Sequence, residues 1–213
     1  LIDGVIVDTV KAMCKTYNKR FKNHKDFVEA KPENVKGWDG GNQFPLFKDG
    51  AIDKMFGESD FWKHLTFIDG HVKSKLKELS ELFDITIVSY GYARNMSKKA
   101  LWIEKNLPFI KDVVLMNGKY LKKQMFMPMN EVNNENINII IDDNVSNFNI
   151  GSEDLNIIFA KYGKNGYNTL DNEKLEEKQL EEGTVTMDSF NYTITVDNWE
   201  LLYSVLCKII KIV

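Results

Sequence analysis

Five short runs of apolar and β-branched residues, Ile85 to Val88, Val113 to Met116, Ile137 to Ile141, Ile157 to Ala160 and Tyr192 to Val196, constrain this chain more than any other feature. Runs of that length without strict alternation are strands buried on both faces. Segments of helical period lie among them, which is the pattern of a mainly parallel sheet covered by helices. Val10, Met13, Cys14, Tyr17 and Phe21 share one face of a predicted helix from Thr9 to Phe21, with lysines opposite. Val72, Leu76, Leu79 and Phe83 mark a second helix, and Met96, Ala100, Ile103 and Leu107 a third that Pro108 stops. A last helix carries Leu202, Val205, Leu206 and Ile209 and is expected to be capped at Asp197 or Asn198.

Two stretches break the rhythm. Residues 23–68 contain Pro32, Pro45 and several glycines together with Trp38, Phe44, Phe47, Phe56, Phe61 and Trp62. That is too apolar for a linker and too irregular for the sheet, so it reads as a small, mainly helical cap inserted into a core of residues 1–22 and 69–213. Lys161 to Gly183 is rich in glycine and asparagine and then strongly charged, which reads as a solvated loop with a short surface helix.

Composition excludes several classes. With 213 residues, 43% hydrophobic and 12% aromatic, the chain has enough apolar side chain for one core and is not disordered. Its longest apolar runs fall far short of the ~20 residues that cross a bilayer. The net charge is -3, and Arg20 and Arg94 are the only arginines, which argues against a grip on a nucleic-acid duplex. Cys14 and Cys207 form no CxxC pair, and His24, His64 and His71 have no ligand spacing. Reduced thiols in a cytoplasmic chain are the expectation.

Chemistry is suggested by the polar residues at the ends of the apolar runs. Asp3-Gly4 stands where a preceding strand would end, Ser89 comes directly after Val88, and Asp142-Asp143 directly after Ile141. In an open parallel sheet the carboxyl ends of the strands share one edge, and ligands bind there. Each residue alone has a plainer reading: Asp-Gly as a turn, Asp-Asp as a helix cap, a lysine as a solvated face. Together they place carboxylates, a hydroxyl and a lysine, Lys119, at one edge. Adjacent carboxylates repel unless a hard cation joins them, and a small set of oxygen ligands suits Mg²⁺. Such a set serves phosphoryl transfer, whose charge spreads over equatorial oxygens.

The order Asp-Gly, Ser, Lys, Asp-Asp resembles the haloacid dehalogenase superfamily and, within it, the 5′(3′)-deoxyribonucleotidase family. Asp3-Gly4-Val5-Ile6-Val7-Asp8-Thr9 is similar to the first motif and Phe61-Trp62 with Leu65 to the cap signature. Ile87-Val88-Ser89 is similar to the second motif, Gly118-Lys119 to the third, and Ile141-Asp142-Asp143 with Asn147 to the fourth. Ile158-Phe159 with Tyr167-Asn168, and Val196 to Trp199, resemble the closing segments. The resemblance implies an α/β, Rossmann-like core of the dehalogenase type and a Mg²⁺-dependent phosphatase of nucleoside monophosphates working through an aspartyl phosphate. It implies Asp3 as general acid/base and metal contact through its carbonyl, Asp142 and Asp143 as metal ligands, and Ser89 and Lys119 at the phosphate, with Lys122 and Lys123 as alternatives to Lys119. Thr9, Phe61 and Trp62 would line the nucleotide pocket. A homodimer is compatible with it.

Two positions depart from the family. Its nucleophile stands two residues before the acid/base, and that position is Leu1, which cannot form an aspartyl phosphate. The strand that should lead into Asp3 is also missing, so residues ahead of Leu1 are expected. Tyr90 replaces a small hydroxyl residue after Ser89 and narrows the phosphate pocket. Two further readings fit the residues: an inactive module keeping the nucleotide or Mg²⁺ site, and a phosphatase of small phosphometabolites.

Overall fold

The computed structural model describes residues 2–36, 43–117, 139–144, 147–148, 155–162, 176–180, 183–188 and 191–210. Leu1, Trp38, Lys119, Lys122, Lys123, Tyr167 and Asn168 lie outside the described residues. The class is α/β, with a mainly parallel Rossmann-like arrangement.

Strands β1 (Thr86–Gly91) and β2 (Asp112–Asn117) pair in parallel, joined by α5 (Ala93–Asn106). A second sheet has the order β3 (Ile139–Asp142), β4 (Leu155–Phe159), β7 (Asn191–Val196), β6 (Gly183–Asp188), β5 (Glu176–Leu180). Within it β3, β4 and β7 are parallel, and β6 and β5 are antiparallel additions. Residues 2–8 form a tight turn with bridges of Asp3 to Val7 and of Val7 to Phe67. The Trp199 indole N–H donates to the Val5 carbonyl at 2.7 Å and fixes this turn to α6 (Trp199–Ile210).

Helix α1 (Thr9–Phe21) has the predicted bounds and buries Ala12, Met13, Cys14 and Tyr17. It is followed by a 3₁₀ turn (Pro32–Asn34), α2 (Ala51–Met55), α3 (Ser59–His64) and α4 (Val72–Leu79). Tyr17 packs against Phe21, Phe27, Phe44 and Phe47, with ring centroids 5.1 to 6.1 Å apart. Arg20 pairs with Glu58, and Lys19 with Asp60 at 3.4 Å, so α1 and α3 are held together at their exposed rim as well. One apolar core runs from Ile2, Val7 and Tyr17 through Met55 and Phe61 to Ile87, Ile157, Phe159 and Trp199.

Three boundaries differ from the sequence expectation. Helix α4 stops at Leu79, and Ser80 to Phe83 turn back on it through N–H bonds to the Leu76, Glu78 and Leu79 carbonyls. Ser89 lies inside β1, not after it. The charged stretch expected as a surface helix is instead strand β5, paired antiparallel with β6 in a hairpin. Asn198 caps α6 by accepting the Leu201 N–H at 2.8 Å, and Asp69 accepts the Trp199 N–H at 2.9 Å. Among the described residues no helix is long and apolar enough to cross a membrane, and both cysteines are free.

Candidate active site

The turn at residues 2–8 sets the geometry. Gly4 adopts φ +69°, in the left-handed region that costs other residues roughly 1–2 kcal/mol, and its N–H donates to the Val7 carbonyl at 3.0 Å. A Cβ on Gly4 would lie 2.0 Å from Asp143 Oδ2. Only glycine allows that approach, which sets the Asp143 carboxylate beside the residue after Asp3.

Three side chains from three elements converge on the Asp3 carboxylate. Thr9, in the first turn of α1, donates its hydroxyl to Oδ1 at 3.3 Å. Ser89 donates to Oδ2 at 3.4 Å. The Lys99 ammonium, from α5, pairs with the same Oδ2 and donates to the Ser89 hydroxyl at 2.7 Å. Strand alternation turns Ile87 and Ser89 to the same buried side of β1. Lys99 is 3% exposed and Ser89 fully buried. At that depth Lys99 has the Asp3 carboxylate and the Ser89 hydroxyl as partners in place of water.

Asp142 ends β3, is 1% exposed, and accepts the Asn144 N–H at 2.9 Å, a local Asx turn. Asp143 follows it at 8% exposure. Two adjacent, nearly buried carboxylates form an oxygen-only donor set that fits a hard divalent cation. Among the described residues no group of three or more His, Cys, Asp or Glu gathers around one point. Main-chain carbonyls and water would therefore complete any coordination sphere, as such ions readily accept.

Behind Thr9 lies a second cluster. Asp8, 1% exposed, caps α1 by accepting the Lys11 N–H at 3.0 Å. Its other oxygen accepts the Tyr162 hydroxyl at 2.7 Å and the Lys161 ammonium at 3.2 Å. Lys161 also donates to the Ile68 carbonyl. Burial, and then the bond to Asp8, push the Tyr162 phenol well above its ordinary value. The chain beyond β4 thus clamps the start of α1, which holds Thr9 against Asp3.

Over residues 1–156 the sequence matches the family model described as 5′ nucleotidase, deoxy (pyrimidine), cytosolic type C protein. The chain belongs to that family. It is also 26% identical over 151 residues to a 5′(3′)-deoxyribonucleotidase of Clostridium acetobutylicum, an alignment covering 68% of this chain and 73% of the relative. The protein is accordingly a nucleotidase by family, an enzyme of nucleotide metabolism.

In this nucleotidase Asp3, Thr9 and Ser89, all named from sequence, come together. Phe61 is 1% exposed and stands edge-on to Phe56 at 5.1 Å and to Trp62 at 5.7 Å. Trp62 is half-buried, its indole N–H on the Phe56 carbonyl at 2.7 Å. Sequence reasoning missed Lys99 altogether. Its signal was a lysine three residues after Met96 and four before Ile103, on the face that those two apolar residues mark as buried. Asp8 was named only within the first motif; neither its capping of α1 nor its partners 153 and 154 residues away were read from the sequence.

Proposed function

We propose that this nucleotidase is a Mg²⁺-dependent phosphomonoesterase of nucleoside monophosphates, deoxyribonucleotides foremost, releasing nucleoside and phosphate. The observation that carries the reading is the convergence of Thr9, Ser89 and Lys99 on Asp3, one residue from the glycine that Asp143 abuts. A cationic and a hydroxyl donor at a carboxylate form a cradle for a phosphate beside a proton carrier.

In this reading Lys99 and Ser89 bind the phosphate oxygens, and Lys99 takes the part that sequence reasoning gave to Lys119. Asp3 is the general acid for the leaving nucleoside oxygen. An arriving phosphate dianion draws Lys99 away from Asp3, and a carboxylate that loses its cation holds a proton more readily. The acid is thereby charged by the substrate it will serve. Asp142 and Asp143, with the Asp3 carbonyl, would hold Mg²⁺, which when bound neutralises charge on the transferring group. Residues 23–68 would act as the cap over a core of 1–22 and 69–213, with Thr9, Phe61 and Trp62 on the nucleoside side. The free thiols and the words 'cytosolic type C' in the family's description support a cytoplasmic setting.

The aspartyl-phosphate route needs a carboxylate where Leu1 stands. Loss of a covalent nucleophile costs on the order of 10⁴ or more in rate. Turnover is therefore expected to be slow in this sequence and to rise by about that factor in Leu1→Asp. The test is phosphate release from dUMP, dTMP and 5′-GMP with Mg²⁺, for both forms. Release from a nucleotide that increases in Leu1→Asp and disappears in Asp142→Asn supports the reading. Nucleotides inert in both forms, with a sugar phosphate cleaved, would sink it in favour of a metabolite phosphatase.

A further inference from the structure

Asn95 sits one helical turn before Lys99 on α5, about 6 Å along the axis. The two share the buried face with Met96 and Ile103. Asn95 is only 8% exposed, yet its side-chain Oδ1 has no hydrogen-bond partner among the described residues. A buried amide oxygen without a donor is costly, and native proteins keep few of them. The carboxamide lies over the carboxyl end of β1: a Cβ on Gly91 would be 2.9 Å from Asn95 Nδ2, two residues beyond Ser89. The neighbouring Arg94 lays its stem on the segment between α2 and α3, since a Cβ on Gly57 would be 3.1 Å from Arg94 Cδ. Asn95 is thus at the edge where substrate enters, between the residues assigned to the phosphate and the segment above them.

We infer that Asn95 is a specificity-determining residue that accepts a hydrogen bond from the sugar hydroxyl nearest the phosphate, the 3′-hydroxyl of a nucleoside 5′-monophosphate. This rests on the nucleotidase reading above. An orphan acceptor calls for a donor, and the phosphate and its ester oxygens supply none. The 3′-hydroxyl is on the ring carbon next to the one bearing the phosphate arm, so its distance from phosphorus is about one helical turn, the separation of Asn95 from Lys99. The base lies beyond it.

Equilibrium binding tests this without turnover. A 2′-deoxynucleoside 5′-monophosphate and its 2′,3′-dideoxy counterpart are titrated into the full chain with Mg²⁺ by calorimetry. The deoxy ligand is expected to bind about 10-fold tighter, because the dideoxy ligand leaves Oδ1 unpaired. Asn95→Leu should weaken only the deoxy ligand and bring the ratio near one. Asn95→Asp keeps the acceptor and should retain the ratio even if its charge weakens both ligands. Equal binding of the two ligands to the unmodified chain, or an Asn95→Leu ratio like the unmodified one, overturns the inference and leaves the nucleotidase reading standing. Binding of neither nucleotide overturns that reading and the inference with it. The comparison on the unmodified chain stands even if a variant does not fold.

Discussion

The Lys99 ammonium reaches the Asp3 carboxylate across 96 residues of sequence and donates to Ser89 at 2.7 Å on the way. A lysine 3% exposed has no other role as economical as holding an anion, and Asp3 holds its place until the phosphate arrives.

Replacing Lys99 by methionine keeps the volume and removes the charge. Phosphate release in the Leu1→Asp background should fall on the order of 10²–10³-fold, the loss typical when one strong transition-state donor goes. Inorganic phosphate should no longer be detected by calorimetry. Unchanged phosphate affinity would mean that Lys99 serves only to neutralise Asp3.

Gly4→Ala tests the close approach of Asp143. A methyl group at φ +69° and 2.0 Å from Asp143 Oδ2 cannot be housed without moving the turn or the carboxylate. Stability should drop by at least ~2 kcal/mol, read as the urea midpoint, and metal-dependent activity should drop further than the fold does.

The Asp8 cluster separates capping from clamping. Asn is as good an N-cap as Asp, so Asp8→Asn should lose only the charge facing Lys161 and part of the Tyr162 bond, about 1–2 kcal/mol. Asp8→Ala should lose roughly 1 kcal/mol more because the cap goes too. Thermal melts of the pair decide it: equal melting points would show that the side chain does no capping.

Alkaline pH should loosen the fold through Cys14. Burial first, then Asp8 and Glu33, push its thiol from 9.0 up to about 12. Between those values the unfolded chain has released the proton and the folded chain still holds it. Stability is therefore full below pH 9 and falls as pH rises towards 12. Denaturant midpoints from about pH 8 to 11 should decline less steeply in Cys14→Ala; parallel slopes would exclude the thiol as the cause.

Much of the parallel sheet was legible because β-branched runs buried on both faces have few other uses, and the polar residues that follow the apolar runs of β1 and β3 then located Ser89, Asp142 and Asp143, although β1 itself runs on past Ser89. The β5–β6 hairpin was not, since Glu176 to Leu180 has the composition of a solvated helix and gains its conformation only from pairing with β6. Lys99 escaped because it lies mid-helix, away from every strand end, and its partner is set by tertiary packing. Residues chosen for chemistry at a strand end are visible in one dimension; those that reach across from a helix are visible only as a break in an apolar stripe.

Asp3 and Gly4 are neighbours in sequence, but Asp3 is fastened to Ser89 on one sheet while Gly4 is pressed against Asp143 beyond the end of the other. Among the described residues the two sheets share no strand pairing, and the Asp3–Gly4 peptide link lies at the seam between them. A slip of a fraction of an ångström along that seam would part the proton carrier from the acidic pair while every strand stayed paired. Mild heating or low denaturant should therefore silence this protein while its circular dichroism spectrum is still native.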